Sequence, residues 1–418
     1  MAELHVAQPI KLRCGLTLPN RLVKAPMSEG IATPRSLPDK KIHNIYQHWA
    51  KGGWGMIITG NVQVDDRYLG TATDLAVDSL VSDDGVITSW QSWATTCKEF
   101  GTPTVVQLNH PGRQCPIGAG KHGYFSKNVA PTSIGLYMGD GVIPKAVSAI
   151  AFGTPRELDV SEIQTIVKQF VRAARLAYQS GFSGVEIHAA HGYLIDEFLS
   201  ETTNQRTDAY GGSPQKRTKF ILEVINGIRS EVPTSFCVGV TINSIDALSP
   251  KALSDRIRQL ELIINAGIDY IQITGGTFED PQMFLGPCKH GGPILKDSTK
   301  TTGAYFVDFA KVVKSSFPDT PLILTGGFRC RDSIEKAVVD GNCSMVGIVR
   351  PAAVNPLLPK TVIFNREISN SDATLYSPKI EAPWIIKKMG ITALNVHMDN
   401  AWYLAHIKNL SKEYVKNI

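Results

Sequence analysis

The chain has 418 residues, enough for one large domain or two ordinary ones. Its 43 Lys and Arg against 38 Asp and Glu give a formal charge of +5 with no basic cluster, which does not indicate a partner such as nucleic acid or an anionic membrane. Hydrophobic residues at 43% and charged residues at 19% exclude a largely disordered chain, and we expect a small molecule as the partner.

From about residue 20 the sequence alternates short β-rich runs with longer amphipathic stretches about eight times. The short runs are apolar without strict alternation, which is typical of parallel strands buried on both faces. The predicted strands span residues 21–26, 55–59, 104–108, 184–188, 236–242, 270–274, 322–325 and 345–349.

Two of the intervening helices carry boundary signals. Asp159 with Glu162 three residues later forms a capping box, and apolar residues then recur at 3-4 spacing. Ser249 and Pro250 open another helix, with proline at the first helical position, and Gly267 stands where a C-terminal cap is expected. Eight such β/α units predict a closed (β/α)₈ TIM barrel, an α/β fold that typically needs about 250 residues.

The residues beyond the length of a typical barrel are assigned to an N-terminal lead-in, to the loop 111–155 and to the tail after Pro359. We predict one domain over residues 1–418, with the barrel at about 20–360 and a helical C-terminal extension at about 361–418. A doubly wound open sheet is the alternative, and its dinucleotide fingerprint matches once, at residues 118–123. That match lies in a Pro- and Gly-rich loop where no helix opens, so it does not favour the alternative.

The seven cysteines indicate a reducing compartment. Their number is odd and none forms a C-x-x-C pair, so neither a disulfide framework nor a zinc or iron–sulfur cluster is indicated, and no metal is expected. The N-terminus has no secretory signal pattern, and no apolar run approaches the roughly 18 to 20 residues of a membrane span. We expect a cytoplasmic protein without a membrane partner, as a monomer or a homodimer.

His188, His191 and Tyr193 follow the fourth predicted strand, where reactive groups of such barrels lie. The imidazoles can hold a carbonyl or nitro oxygen, and the phenol can deliver a proton. Two other interpretations stay open: one histidine and the tyrosine are packing residues, or the histidine pair binds a metal, although no third ligand at tight spacing appears.

Two further strand ends suggest binding groups. Gln107, near the end of strand three, can offer both a donor and an acceptor to a heterocycle, or can make a structural hydrogen bond. Gly326, Gly327 and Arg350 follow strands seven and eight, where phosphate-bearing ligands are often held, although a pair of glycines can also be only a tight turn.

Together these segments resemble the old yellow enzyme family of flavin-dependent ene-reductases, also described as NADH:flavin oxidoreductases. The matching segments are 20–27, 107–113, 186–194 and 198–213, followed by Arg217 and the glycine and arginine segments at 326 and 350. They occur in the family's order over roughly residues 5–360. The resemblance implies a non-covalent FMN across the barrel mouth, held by Ala25, Pro26, Met27, Ser28, Asn61, Gln107, Arg217, Gly326, Gly327, Val349 and Arg350.

The resemblance also implies roles. Ser28 would lie near the N5/O4 edge of the flavin, Gln107 at its pyrimidine end and Arg217 at its N1/O2 edge. NAD(P)H would reduce the flavin, and flavin N5 would pass hydride to an α,β-unsaturated carbonyl or nitro compound whose oxygen is held by His188 and His191. Tyr193 would then protonate the product.

Some features depart from the family pattern or match no motif of it. Ser28 stands where relatives usually carry Thr or Cys, Asn61 where they usually carry Gly or Ala, and Val349 where they usually carry Gly. The tail residues Trp402 and Tyr403 are candidate substrate contacts, within the chain or across a dimer. Two rival functions stay open: an FMN-binding barrel with an isomerase, non-reductive or scaffold role, and a metal-dependent hydrolase or aldolase that uses the histidine pair.

Overall fold

Eight parallel strands form a closed barrel in the computed structural model, which describes residues 3–123, 126–245, 249–281, 288–289, 292–293, 305–384, 388 and 391–412. Each strand pairs with the next one along the chain, and the eighth pairs with the first. The strands are β1 (Leu22–Lys24), β2 (Met56–Gln63), β3 (Thr104–Asn109), β4 (Gly184–Ala189), β5 (Cys237–Asn243), β6 (Tyr270–Thr274), β7 (Leu322–Thr325) and β8 (Met345–Ile348). The predicted (β/α)₈ barrel is confirmed, and every predicted strand overlaps an observed one.

Helices surround the barrel. They are α1 (Lys40–Lys51), α2 (Asp83–Lys98), α3 (Val142–Ala151), α4 (Val160–Gln179), α5 (Leu194–Leu199), α6 (Pro214–Glu231), α7 (Pro250–Asn265), α8 (Val307–Ser316), α9 (Arg331–Val339), α10 (Arg350–Val354) and α11 (Thr392–Leu410). Both predicted boundary signals are confirmed: Asp159 and Glu162 form the capping box of α4, and Ser249 caps α7. Gly267, just past α7, has a φ of +92°, a left-handed conformation that glycine adopts at little cost.

An apolar layer fills the N-terminal end of the barrel. A hairpin of the strands Ile10–Lys11 and Thr17–Leu18 covers this end, and Leu12 and Leu18 join the layer. Its members from the barrel strands are Val23, Met56, Ile58, Val105, Cys237, Tyr270, Ile323 and Met345. The barrel is therefore packed at this end, as in other (β/α)₈ proteins.

Residues outside the eight β/α units form further short elements. Residues 111–155 include a 3₁₀ turn (Gly112–Gln114), a strand (Val129–Ala130) that pairs with Arg156–Glu157, and α3. In the tail, a short π-helix spans Pro359–Ile363, and α11 packs against α10 and α1. Within the described ranges, no helix combines the length and the apolar character needed to cross a membrane.

Candidate active site

A cavity of about 460 Å³ lies at the C-terminal ends of the barrel strands. This volume is in the range of small-molecule sites. The loop after β1, the ends of β2, β3, β4, β6 and β7, and the end of β8 with the residues after it form its base and walls. Its barrel-side residues include Pro26, Met27, Ser28, Asn61, Gln107, His188, His191, Tyr193, Gln272, Thr274, Gly326, Gly327, Val349 and Arg350.

His188, His191 and Tyr193 come together at one wall of this cavity. Nε2 of His188 lies 3.0 Å from Nδ1 of His191, so one ring donates a hydrogen bond to the other. The ring centroids of His188 and Tyr193 are 4.8 Å apart. Nε2 of His191 also lies 3.1 Å from the hydroxyl of Thr274 on β6. The structure thus brings together the three side chains that the sequence places after the fourth strand.

The turn after β4 orients the His191 ring through an unusual backbone conformation. His191 has a φ of +61°, which is rare for a residue with a side chain. Two hydrogen bonds hold this turn: the His191 amide donates to Oδ1 of Asn243, and Nε2 of Gln114 donates to the His191 carbonyl. Such conformations cluster at functional sites, where surrounding contacts compensate for the strain.

Burial keeps both imidazoles neutral. Desolvation lowers the pKa of His191 to about 4. For His188, desolvation and the nearby His191 ring together lower the pKa well below its ordinary value. Nδ1 of His188 is buried and has no hydrogen-bond partner among the described residues. At pH 7 the pair can therefore offer neutral N–H donors, a chemistry suited to stabilising negative charge on an oxygen.

Tyr193 keeps its proton over the physiological range. Burial, with a smaller contribution from the charge of Asp74, raises the pKa of the phenol to about 12, and a hydrogen bond with Asn61 opposes this shift in part. A protonated phenol that lines a cavity beside two neutral donors can act as a general acid.

A carboxyl group lies beside Gln107 inside the barrel. Nε2 of Gln107 donates to Oε1 of Glu186 at 2.8 Å, and both side chains are buried. This bond uses the donor end of the Gln107 amide, so its oxygen can accept from a ring N–H in the cavity. Desolvation raises the pKa of Glu186 to about 7. Sequence reasoning did not find this pairing.

The raised pKa of Glu186 predicts a pH-dependent stability. The folded state keeps this proton up to about pH 7, whereas the unfolded chain releases it near the ordinary value of 4.5. Between these values the folded state binds more protons, so its free energy of unfolding falls by about 3 kcal/mol as the pH rises. Glu186→Gln should remove this fall. Urea unfolding of both proteins at several pH values measures it, and parallel profiles would contradict the assignment.

The opposite end of the cavity, at β7 and β8, carries backbone donors and cations. Gly326 and Gly327 have φ values of +113° and +88°, and they line the cavity where a side chain would strain the backbone. Arg329 and Arg350 also line this end. Nη1 of Arg350 donates to Asp399 of α11 at 3.2 Å, which anchors that helix beside the cavity.

The donor set fits a flavin mononucleotide. Oε1 of Gln272 and Oγ1 of Thr325 are buried at the cavity without partners among the described residues, so a heterocycle with N–H and C=O edges would satisfy groups that are otherwise unpaired. The glycine backbone and the two arginines at the other end suit a phosphate. The fold and the site together thus define a flavin-binding barrel.

The structure corrects the expectation for Arg217. This residue lies in the first turn of α6, outside the cavity, and its guanidinium donates to the carbonyls of Leu199 and Gly212 and to Asp255 of α7. It therefore joins helices instead of facing the flavin edge. Ala25 is fully buried and is not among the cavity-lining residues, whereas its neighbours Pro26, Met27 and Ser28 line the cavity.

Arg217→Met should therefore destabilise the protein while leaving its flavin content intact. The substitution leaves two carbonyls and the Asp255 carboxylate without their donor, at a cost of about 2 kcal/mol. Thermal unfolding and flavin absorbance per folded protein test this. Arg350→Met, at the cavity, is the matched comparison and should weaken flavin binding. A folded but colourless Arg217→Met protein would contradict the correction.

Trp402 and Tyr403 lie away from the cavity. Tyr403 is buried and donates to the Pro378 carbonyl, and Trp402 stacks on His406. The same helix instead turns Val396, Asn400 and Leu404 towards the cavity, at the four-residue spacing of one helical face. Within one chain, the tail therefore lines the cavity through residues other than Trp402 and Tyr403, and a contact of these two across a dimer stays a prediction.

Several cavity residues were missed by sequence reasoning. Thr274 ends the predicted strand 270–274, so the strand-end rule that found the histidines could have found it, whereas Gln272 is in the middle of that strand. Phe278 follows strand six in the same way. Asp74 comes from an irregular segment after β2 and accepts a hydrogen bond from Ser28, and no signal in the sequence marked it.

Comparison with known proteins agrees with this class. The sequence model of the NADH:flavin oxidoreductase / NADH oxidase family matches residues 5–368. The chain is 74% identical over 400 residues to the NADH-dependent flavin oxidoreductase iliE of Hypocrea jecorina, covering 96% of this chain and 99% of that protein. It is 52% identical over 414 residues to the NADH-dependent flavin oxidoreductase iccE of Talaromyces variabilis, covering 99% of each.

The chain therefore belongs to the old yellow enzyme family of NADH:flavin oxidoreductases. It is an oxidoreductase with FMN as cofactor and a reduced nicotinamide as co-substrate. Among solved structures, morphinone reductase has the same fold, with a TM-score of 0.67 at 24% identity over 86% of this chain and 89% of that one. An old yellow enzyme homologue from Zymomonas mobilis gives a TM-score of 0.67 at 23% identity, over 85% and 91%.

Proposed function

We propose that this enzyme uses NAD(P)H to reduce the activated C=C bond of α,β-unsaturated carbonyl or nitro compounds. The observation that carries the proposal is the cluster of two neutral imidazoles and one protonated phenol at the cavity wall. When bound, FMN supplies the two-electron chemistry, the transfer of hydride equivalents from the nicotinamide to the alkene. Pro26, Met27, Ser28, Asn61, Gln107, Gly326, Gly327, Val349 and Arg350 line the cavity and would hold it.

The histidine pair would polarise the substrate. Each neutral imidazole has one N–H, and the two facing nitrogens are 3.0 Å apart. A substrate oxygen that enters between them replaces this mutual hydrogen bond and accepts one from each ring once both N–H groups face it. These bonds strengthen as the oxygen gains enolate character, so they favour the transition state over the ground state.

Tyr193 would complete the reaction by protonating the carbon next to the activating group. Its ring packs against His188 with centroids 4.8 Å apart, so the acid and the oxygen-binding group act on the same end of the substrate. With a pKa of about 12 the phenol stays protonated at neutral pH and is ready to donate. Asn61 fixes the phenol through the hydrogen bond between the two side chains.

The outer part of the cavity favours a large apolar substrate. Met138, Val147, Ala151 and Phe152 from residues 138–152 line it together with Phe278. The Phe152 and Phe278 rings pack edge to face with centroids 5.3 Å apart. Leu404 of α11 lines the same cavity. We propose that this wall binds the hydrocarbon or aromatic part of the substrate, while the histidines hold its polar end.

A two-stage anaerobic experiment tests the reductase. NADH or NADPH should bleach the visible flavin absorbance of the purified protein, and an enal, enone, maleimide or nitroalkene should then restore it while the saturated product forms. A flavin that stays oxidised with both nucleotides, or a bleached protein that none of these alkenes reoxidises, would contradict the proposal.

A second candidate is a proton-transfer isomerase that acts next to a carbonyl. The proton-free nitrogen of one neutral imidazole would take the proton from the carbon while the N–H of the other holds the oxygen, and return of a proton from the cluster would then close the cycle without net reduction. One observation favours it. The two arginines that line the cavity, Arg329 and Arg350, lie at its β7 and β8 end. Beside Gln107, where the arginine was expected, the ionisable group is the Glu186 carboxyl. A carboxyl group there does not stabilise the anionic reduced flavin as the expected arginine would have done.

Solvent exchange separates the two candidates. In D₂O without any nicotinamide, an isomerase should introduce deuterium next to the carbonyl of a saturated apolar ketone, and Tyr193→Phe should slow this exchange. A reductase should show product only when NAD(P)H is consumed. If deuterium exchange occurs only when NAD(P)H is present, the isomerase function is excluded.

A further inference from the structure

Two cysteines and an aspartate meet at the closed end of the barrel, opposite the cavity. Cys14 lies in the turn of the N-terminal hairpin, Cys237 is the first residue of β5, and Asp269 directly precedes β6. The two sulfurs and one carboxylate oxygen all lie within 4.8 Å of one another. The spacing of the cysteines along the chain gives no metal motif, and only the closure of the barrel brings these residues together.

From this arrangement we infer that Cys14, Cys237 and Asp269 form a binding site for a thiophilic divalent cation, Zn²⁺, that fastens the hairpin to the barrel. A tetrahedral zinc site with Zn–S bonds of about 2.3 Å needs its sulfurs roughly 3.8 Å apart. The three ligand atoms therefore have to approach by no more than about 1 Å.

The Asp269 carboxylate is already oriented for such a role. Oδ2 accepts hydrogen bonds from Nη2 of Arg229 and from the Val238 amide, each at 2.7 Å, which leaves Oδ1 for a metal. Outer partners of this kind fix the ligands of metal sites. Two thiolates, one carboxylate, one guanidinium and a divalent cation also sum to zero charge, so the buried site would be electrically balanced.

The thiols differ in a way that suits metal capture. Cys14 is only half-buried, so an ion can reach it from solvent, whereas Cys237 is buried at the closed end of the barrel. Zinc binds cysteines as thiolates and releases their protons, so its affinity should fall as the pH is lowered. Solvent beside Cys14 can supply the fourth ligand.

Metal analysis of the intact holoenzyme tests this inference without using its activity. After dialysis against Zn²⁺ with a phosphine reductant, the protein should retain one zinc per chain, and its thermal midpoint should rise with zinc. Cys14→Ser, on the hairpin surface, should lower the zinc affinity by more than about 100-fold. Cys330→Ser changes another half-buried thiol and should bind zinc like the parent. X-ray absorption should show two sulfur ligands.

Three outcomes would overturn the inference. The first is a reduced protein that retains no zinc, and the second is a Cys14→Ser variant that binds zinc as the parent does. The third is a zinc absorption spectrum without sulfur ligands. If peptide mapping finds a disulfide between Cys14 and Cys237 in protein purified in air, and the reduced form binds no zinc, the pair is a redox couple instead.

Asp269→Asn, which keeps the side-chain shape, should weaken zinc binding independently of the thiols.

Discussion

Tyr193→Phe should slow reduction of an activated alkene by about 1,000-fold, within the range expected for loss of a general acid. The substitution keeps the ring that packs against His188 and removes only the hydroxyl that hydrogen-bonds with Asn61. Anaerobic stopped-flow mixing of the pre-reduced protein with an enone measures the affected step, as the rate at which flavin absorbance returns.

The first half of the reaction is the internal control for this variant. NADH-dependent bleaching needs no proton from the phenol, so its rate should be unchanged in Tyr193→Phe. Asn61→Ala is the matched substitution, since it removes the partner of the phenol but keeps the acid, and its effect should be smaller. Equal losses in both halves would point to damage of the cavity, and an unchanged alkene step would mean that another group supplies the proton.

His188→Ala should slow the same step by about 100- to 1,000-fold, the usual cost of losing one donor to a developing oxyanion. The loss should hold from about pH 6 to pH 9, because the pKa of His188 lies well below its ordinary value and that of His191 is about 4. Deprotonation of a histidinium in this window therefore cannot produce the effect. Steady-state and single-turnover rates with the same enone across this pH range measure it.

His188→Asn separates hydrogen bonding from packing. The amide retains an N–H donor at similar depth in the cavity wall, so it should recover part of the activity lost in His188→Ala. Flavin content should be equal in both variants. Full activity in His188→Ala would exclude the ring from substrate activation, and equal losses in both variants with reduced flavin content would assign it a structural role.

The barrel was predictable because each strand is buried on both faces and therefore stands out as an apolar run between helical stretches. The proximity of His188, His191 and Tyr193 was predictable for a related reason: these residues follow a strand, and strand ends converge on one mouth of the barrel. The Asp159 capping box was readable because its two residues are local partners three positions apart. These signals depend on short-range order in the sequence.

What the sequence did not show is which face of a helix a residue occupies and which residues from different elements contact each other. Arg217 is in a matching segment, but the sequence does not show which face of α6 it occupies, and the structure turns it towards Asp255. Tyr403 lies one position from Leu404, which lines the cavity, but on a different face of the same helix. The contact of Gln107 with Glu186 joins different strands, so only the barrel register reveals it.

The wall formed by Val396, Asn400 and Leu404 has a consequence for biosynthesis. Translation proceeds from the N-terminus, so all eight strands leave the ribosome before this helix does. The nascent barrel can close while its mouth still lacks one side, and the pairing of Asp399 with Arg350 can form only afterwards. Emergence of this helix from the ribosome, not closure of the barrel, would then be the event that completes the chamber.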